Sequence, residues 1–280
     1  MRKTFFFFSV ATLLCLGSLA YGNSDASPLE APSENLSQAA PAIARVRIVV
    51  ASSASSSRST PKPTLLPVID QPDIREKDRI FLDRVLRALP ALCRENLEQM
   101  IVRYEPNAER GQATATTMLL RGPLWNLSEK KKMEMIGVVT HECGHIISLK
   151  AFVGKKKDGI SPFPDGHLPT YNGLAAKFYS ISWKNSDVMR PTTESNHFVS
   201  GYAKENPFED FAETFAYFVL QKQAFIGRAE KNTVLSEKLA FMEMYIADPG
   251  FTFPESQSWD GKIPWDTTKL AHELSLLALP

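Results

Sequence analysis

Residues 138–147 read VVTHECGHII, and the fold turns on how the His-Glu-x-x-His inside them is read. It is either a pair of metal ligands or an accident on a buried helix. On a helix His141 and His145 lie one above the other, so both imidazoles can reach one ion. The surrounding spacing predicts a helix over 129–152 with Ser128 as its N-cap. Ile136, Val139, Cys143, Ile146 and Ile147 fall on one side of it; Val138, His141, Glu142 and His145 fall on the other. Cys143, about 200° round from His141, faces away from any ion held there and reads as a small core residue. Lys130, Lys131 and Lys132 read as a solvated cluster at the helix start.

Two histidines do not complete a catalytic zinc site, which takes three protein ligands and keeps one position open for water. A third histidine six residues after His145 would be the metzincin pattern, but Ala151 stands there. An acidic ligand from a second helix is the remaining option. GYAKENPFEDFAETF, residues 201–215, supplies Glu209 and Glu213, four apart and on one helix face. That spacing suits one carboxylate as ligand and one as acceptor of an imidazole's outer N–H. The bland alternative is an amphipathic helix with an acidic exposed edge. Asp210 projects about 100° away and is less well placed.

Glu142 follows His141 directly, so its side chain approaches the open position and can carry a proton from water to a leaving amine. Tyr202, just ahead of the acidic helix, can donate a hydrogen bond to an oxyanion, or simply pack. His197 is a rival donor or ligand by its nearness to Tyr202. His167 and His272 have no partner pattern.

HECGH followed by Tyr-x6-Glu-x3-Glu resembles the gluzincin zinc peptidases, most closely the catalytic-domain family of anthrax lethal factor and the Pro-Pro endopeptidases. The similarity spans about 69–223 and is tight at the two motifs. It implies one Zn2+ held by His141, His145 and Glu209, with Glu142 as base, Tyr202 as oxyanion donor and Glu213 behind a ligating ring. It also implies an α+β fold: a mainly helical zincin-like metallopeptidase domain around a small sheet. An edge strand of that sheet would bind extended peptide by strand addition, with 115–120 as the candidate. The spacer between His145 and Tyr202 is longer than the family's, which places the specificity region there.

The rest of the chain agrees with export. Arg2 and Lys3 precede an apolar run over 5–16, and Ala20-Tyr21-Gly22 fits a cleavage site, so 1–22 reads as a signal peptide. That run is short for a membrane span, and no stable span is expected after cleavage. Residues 23–67 are Ser-, Ala- and Pro-rich and read as a flexible leader or linker, interrupted by one candidate strand at 45–50. The metallopeptidase domain is expected over 68–280, with a long insertion at 154–200. Within it the pattern predicts helices over 74–89, 91–97, 208–228, 234–246 and 267–277, and strands over 100–104 and 115–120. In the insertion, residues 178–183 either wall the cleft or pin the loop to the core.

At 280 residues and 44% hydrophobic the chain can bury a sizeable core, and its net charge of +1 offers no basic field for nucleic acid. Three cysteines become two after cleavage; a disulfide between Cys93 and Cys143 is permitted by export but not indicated. The expectation is an exported metalloendopeptidase acting on a protein or peptide substrate. The contrasting reading is a non-catalytic, zinc-stabilised binding protein of the cell envelope. A third, a peptidase held inactive by its leader, finds no leader residue suited to blocking zinc.

Overall fold

Pro90 separates two helices that the apolar spacing had already marked. In the computed structural model α1 spans Glu76–Ala88 and α2 spans Ala91–Asn96, with Pro90 as the N-cap of α2. Glu76 and Asp78 sit in the first turn of α1, where carboxylates suit the helix dipole. At its other end Arg94 Nη1 donates to the carbonyls of Leu86, Arg87 and Leu89 at 3.0, 3.2 and 2.8 Å, satisfying acceptors the ended helix cannot. Leu82, Val85 and Leu86 form the buried stripe.

The structure describes residues 69, 74–105, 110–121, 129–166 and 168–270, all within the unit Thr60–Pro280. The expected signal peptide, leader and strand at 45–50 lie outside the described residues. So do Ser128, His167, His272 and the end of the helix expected over 267–277. Among the described residues no helix is long and apolar enough to cross a membrane.

The architecture is α+β and mainly helical. Strands β1 (Gln99–Val102), β2 (Gly111–Ala113) and β3 (Thr117–Leu120) form one small sheet in the order β1-β3-β2. β1 runs parallel to β3, and β2 antiparallel to it. One expectation fails here. The 115–120 stretch is β3, the central strand, paired on both sides and unable to accept an added strand. The edge beside the site is β2. Gly111-Gln112-Ala113 has no β-branched or aromatic residue to announce a strand.

Next, α3 (Glu129–Ile146) lies against β2 and β3 and runs on through a π-helical turn, Ile147–Ala151. After a loop come α4 (Leu174–Ser182) and a short hairpin of β4 (Trp183–Asn185) and β5 (Val188–Met189). Then α5 (Pro207–Leu220), α6 (Lys222–Ala229) and α7 (Thr233–Tyr245) complete the bundle. In place of the expected helix at 267, a single 3-10 turn occupies Thr267–Lys269.

α3 and α5 pack directly against each other. Gly144 makes that possible: a side chain there would collide with the Ala212 backbone. Residues 178–183 resolve as a pin, since Phe178 stacks edge-on against Phe211 and Phe241 at 4.9 and 5.3 Å. Trp183 is buried as well and donates its Nε1 to Asp210 at 3.1 Å. Cys143 is more than a small core residue: it is disulfide-bonded to Cys93, tying α3 to α2 across 50 residues of chain. A helix period shows which face a cysteine occupies but not what meets it there.

Candidate metal centre

The packing of α3 against α5 brings together side chains more than sixty residues apart in sequence. The nitrogen Nε2 of His141 lies 3.2 Å from Nε2 of His145. Oε2 of Glu209 is 3.1 Å from the first and 3.4 Å from the second. All three candidate ligand atoms lie within 4.8 Å of one another. Glu209 reaches them because α5 starts where it does. Asn206 caps the helix, its Oδ1 accepting from the backbone N–H of Phe208 and of Glu209 at 2.9 Å each, with Pro207 at the first helical position.

The donor chemistry of this group fits a divalent cation. Oε2 of Glu209 is buried with no hydrogen-bond partner of acceptable geometry. Buried polar atoms seldom lack one, and here it faces two imidazole nitrogens. Burial pushes the Glu209 carboxyl up, but the His141 and His145 rings outweigh it and hold the carboxyl well below its usual range. For His141 burial again opposes the outcome; its contacts with Glu209 and Glu213 raise the ring well above the ordinary imidazole value. A buried pocket holding two imidazoles among three carboxylates draws positive charge into itself. Nitrogen and oxygen donors of this kind suit zinc.

Glu213, one turn further along α5, is fully buried. Its Oε1 stands 2.8 Å from His141 Nδ1, which fixes the ring's orientation and leaves Nε2 facing the Glu209 oxygen. Its Oε2 accepts from Ser200 Oγ at 2.5 Å and from the backbone N–H of Thr267 at 2.9 Å. Neither donor was visible to sequence reasoning, because a serine and a backbone amide carry no motif.

Glu142 is only 5% exposed and faces β2, where any side chain at Gly111 would collide with its carboxylate. Burial is the main reason its pKa is raised; the neighbouring histidines and Arg110 pull the other way. The ring of Tyr202 lies 5.9 Å from that of His141 and lines the same cleft.

Other candidates fall away. Nδ1 of His197 accepts from Glu194 N at 3.0 Å, and its carbonyl takes Lys238 Nζ at 3.0 Å; the residue does not line the cleft. Asp210, set aside on helical angle, is buried in an ion pair with Lys238 at 2.7 Å.

The cleft encloses about 690 Å³ and follows the face of α3 that carries Val138, His141, Glu142 and His145. Arg110, bonded to Glu134 at 2.9 Å and to Asp266, stands at its end toward the start of α3. Leu149 and Asp165 stand at the other. Among the described residues of the spacer between His145 and Tyr202, Leu149 on the π-turn and Asp165 line this cleft; the specificity expectation therefore narrows to the π-turn and the loop that follows it.

A family model described as "Putative zinc-binding metallo-peptidase" matches residues 124–247, a span that contains both motifs. The match supports a zinc metallopeptidase. Comparison with curated proteins and with solved structures gives no match.

Proposed function

We propose that the chain is an exported zinc-dependent metalloendopeptidase of the His-Glu-x-x-His gluzincin type, similar to the lethal factor and Pro-Pro endopeptidase family. The observation that carries this reading is the convergence of His141 Nε2, His145 Nε2 and the hydrogen-bond-orphaned Glu209 Oε2 beside a buried Glu142 in an open cleft. These three residues would hold one Zn2+. When bound, zinc supplies Lewis acidity, polarising a peptide carbonyl and lowering the pKa of water from about 16 towards about 7.

The chain's own groups do the rest. Glu142 takes a proton from the attacking water as its oxygen bonds to the carbonyl carbon, then delivers that proton to the amine as the C–N bond breaks. Its burial, which favours the protonated carboxyl, suits it to both halves of the transfer. Tyr202 donates a hydrogen bond to the oxyanion. Glu213 holds the His141 ring in register, and Glu213→Ala is expected to weaken zinc binding by about 10–100-fold in a chelator-competition titration. An unchanged affinity would mean that the ring is oriented by something else.

Export is supported by the basic-then-apolar N-terminal pattern and by the Cys93–Cys143 disulfide, a bond suited to oxidising compartments. The direct test of activity is digestion of an unbiased peptide library. Cleavage should occur with the native chain, vanish with a chelator and return with added zinc. A zinc-loaded chain that cleaves nothing would favour the binding-protein reading.

A further inference from the structure

Beyond the matched span, residues 264–269 cross back over the site. Pro264 and Trp265 pair with the turn that carries Tyr202: Gly201 N donates to Pro264 O at 2.8 Å, and Tyr202 N to Trp265 O at 2.7 Å. Thr267 N donates to Glu213 Oε2. Thr268 lies directly on α3, against Gly137, where any side chain would collide with its backbone. One short segment therefore touches the histidine helix, the tyrosine turn and the carboxylate behind His141.

The segment is anchored at its middle. Asp266 Oδ1 accepts from Thr268 N at 2.8 Å and from Thr268 Oγ1 at 2.5 Å, while Oδ2 accepts from Arg110. Arg110 also reaches Thr268 Oγ1 at 2.7 Å, which joins the segment to the residue preceding β2. Asp266, Thr267 and Thr268 are all buried.

We propose that residues 264–269 are a strap that positions Glu213, and through it His141, for zinc; Asp266 and Thr267 are positioning residues of the metal centre. This rests on the zinc-site reading. The physical reason lies in the Glu213 carboxylate. A carboxylate bonded only through Oε1 can turn about its last torsion. With Ser200 and Thr267 both donating to Oε2, its plane is fixed and Oε1 is aimed at Nδ1. Coupling of this kind is reciprocal, so zinc should also steady the strap.

The test uses the full chain and zinc alone, with affinity measured by chelator competition and the melting temperature of the metal-free protein measured alongside. Thr267→Val keeps the N–H and removes a hydroxyl oxygen that is buried without a hydrogen-bond partner, so zinc affinity should equal that of the wild type. Thr267→Pro deletes the donor and sets a ring methylene against the carboxylate. The backbone tolerates it: Asp266 is extended at φ −146°, ψ 122°, and Thr267 opens the 3-10 turn. Zinc affinity should fall by about tenfold in this variant, while the metal-free melting temperature reports separately the cost of taking a hydrogen bond from a buried carboxylate. Asp266→Ala frees the anchor without touching Glu213 and should also weaken zinc. In the wild type, the amides of 265–269 should exchange more slowly once zinc is bound.

Wild-type affinity in both Thr267→Pro and Asp266→Ala would overturn the strap. If Thr267→Pro does not fold, Asp266→Ala and hydrogen exchange decide, and amides that ignore zinc in the wild type overturn it equally. A wild-type chain that binds no zinc would instead remove the metal reading beneath the proposal, and the proposal with it.

Discussion

Glu142→Gln is expected to lower kcat for peptide cleavage by about 10²–10⁴-fold, the usual contribution of a positioned acid–base group. Zinc content should stay at the wild-type level, because the carboxylate faces Gly111 and β2 and is not among the three converging ligand atoms. The amide is nearly isosteric, so the packing against β2 survives while the proton acceptor is gone. KM should change little, since the loss falls on the transition state and not on ground-state binding. Retained activity with zinc in place would contradict the base assignment. Loss of zinc together with activity would show Glu142 to be part of the metal's own ligand field.

The second large effect is on stability. Lys238 and Asp210 are both fully buried, and the ammonium donates to Asp210 Oδ1 and Oδ2 at 2.7 and 2.8 Å and to His197 O at 3.0 Å. Burial pushes Asp210 up and Lys238 down, so each depends on the other to remain charged. Lys238→Met leaves a buried carboxylate unpaired. Such a break costs about 3–5 kcal/mol, which for a domain of this size lowers the melting temperature by about 10–15 °C. The double variant Asp210→Asn with Lys238→Met removes both charges and should recover more than half of the loss. A single-variant cost below about 1 kcal/mol would mean that the pair does not hold α5 against α7. Because Glu209 and Glu213 flank Asp210 on α5, this pair also sets the platform from which two metal-site carboxylates project.

How much of this was legible in the chain depends on the range of the interaction. The helix bearing His141 and His145, and the shared face of Glu209 and Glu213, follow from a period of 3.6, because four residues apart means one above the other. Helices α1, α2 and α7 begin and end within a few residues of their expected positions, marked by apolar stripes and by Pro90, and α5 begins where the Asn206-Pro207 cap marks it; the single helix expected over 208–228 is instead broken at Gln221 into α5 and α6. Strand β2 was missed because its residues carry no strand preference, and without it β3 was mistaken for an edge.

The disulfide, the strap and the Lys238–Asp210 pair depend on which distant segments meet, which no local pattern states. One signal was nevertheless present. Lys238 falls in the same stripe of α7 as Leu235 and Met242, which are buried with it, and a lysine on a core-facing stripe calls for a buried counter-charge. Reading it that way would have removed Asp210 from the list of candidate ligands on chemical grounds.

Metal analysis of the purified chain, by elemental mass spectrometry with X-ray absorption at the zinc edge, tests the metal centre most directly. The expected result is one zinc per chain, bound through two imidazole nitrogens and carboxylate oxygen at about 2.0–2.2 Å, and lost on Glu209→Ala. A wild-type chain that takes up no metal, or a Glu209→Ala variant that keeps full occupancy, would contradict it.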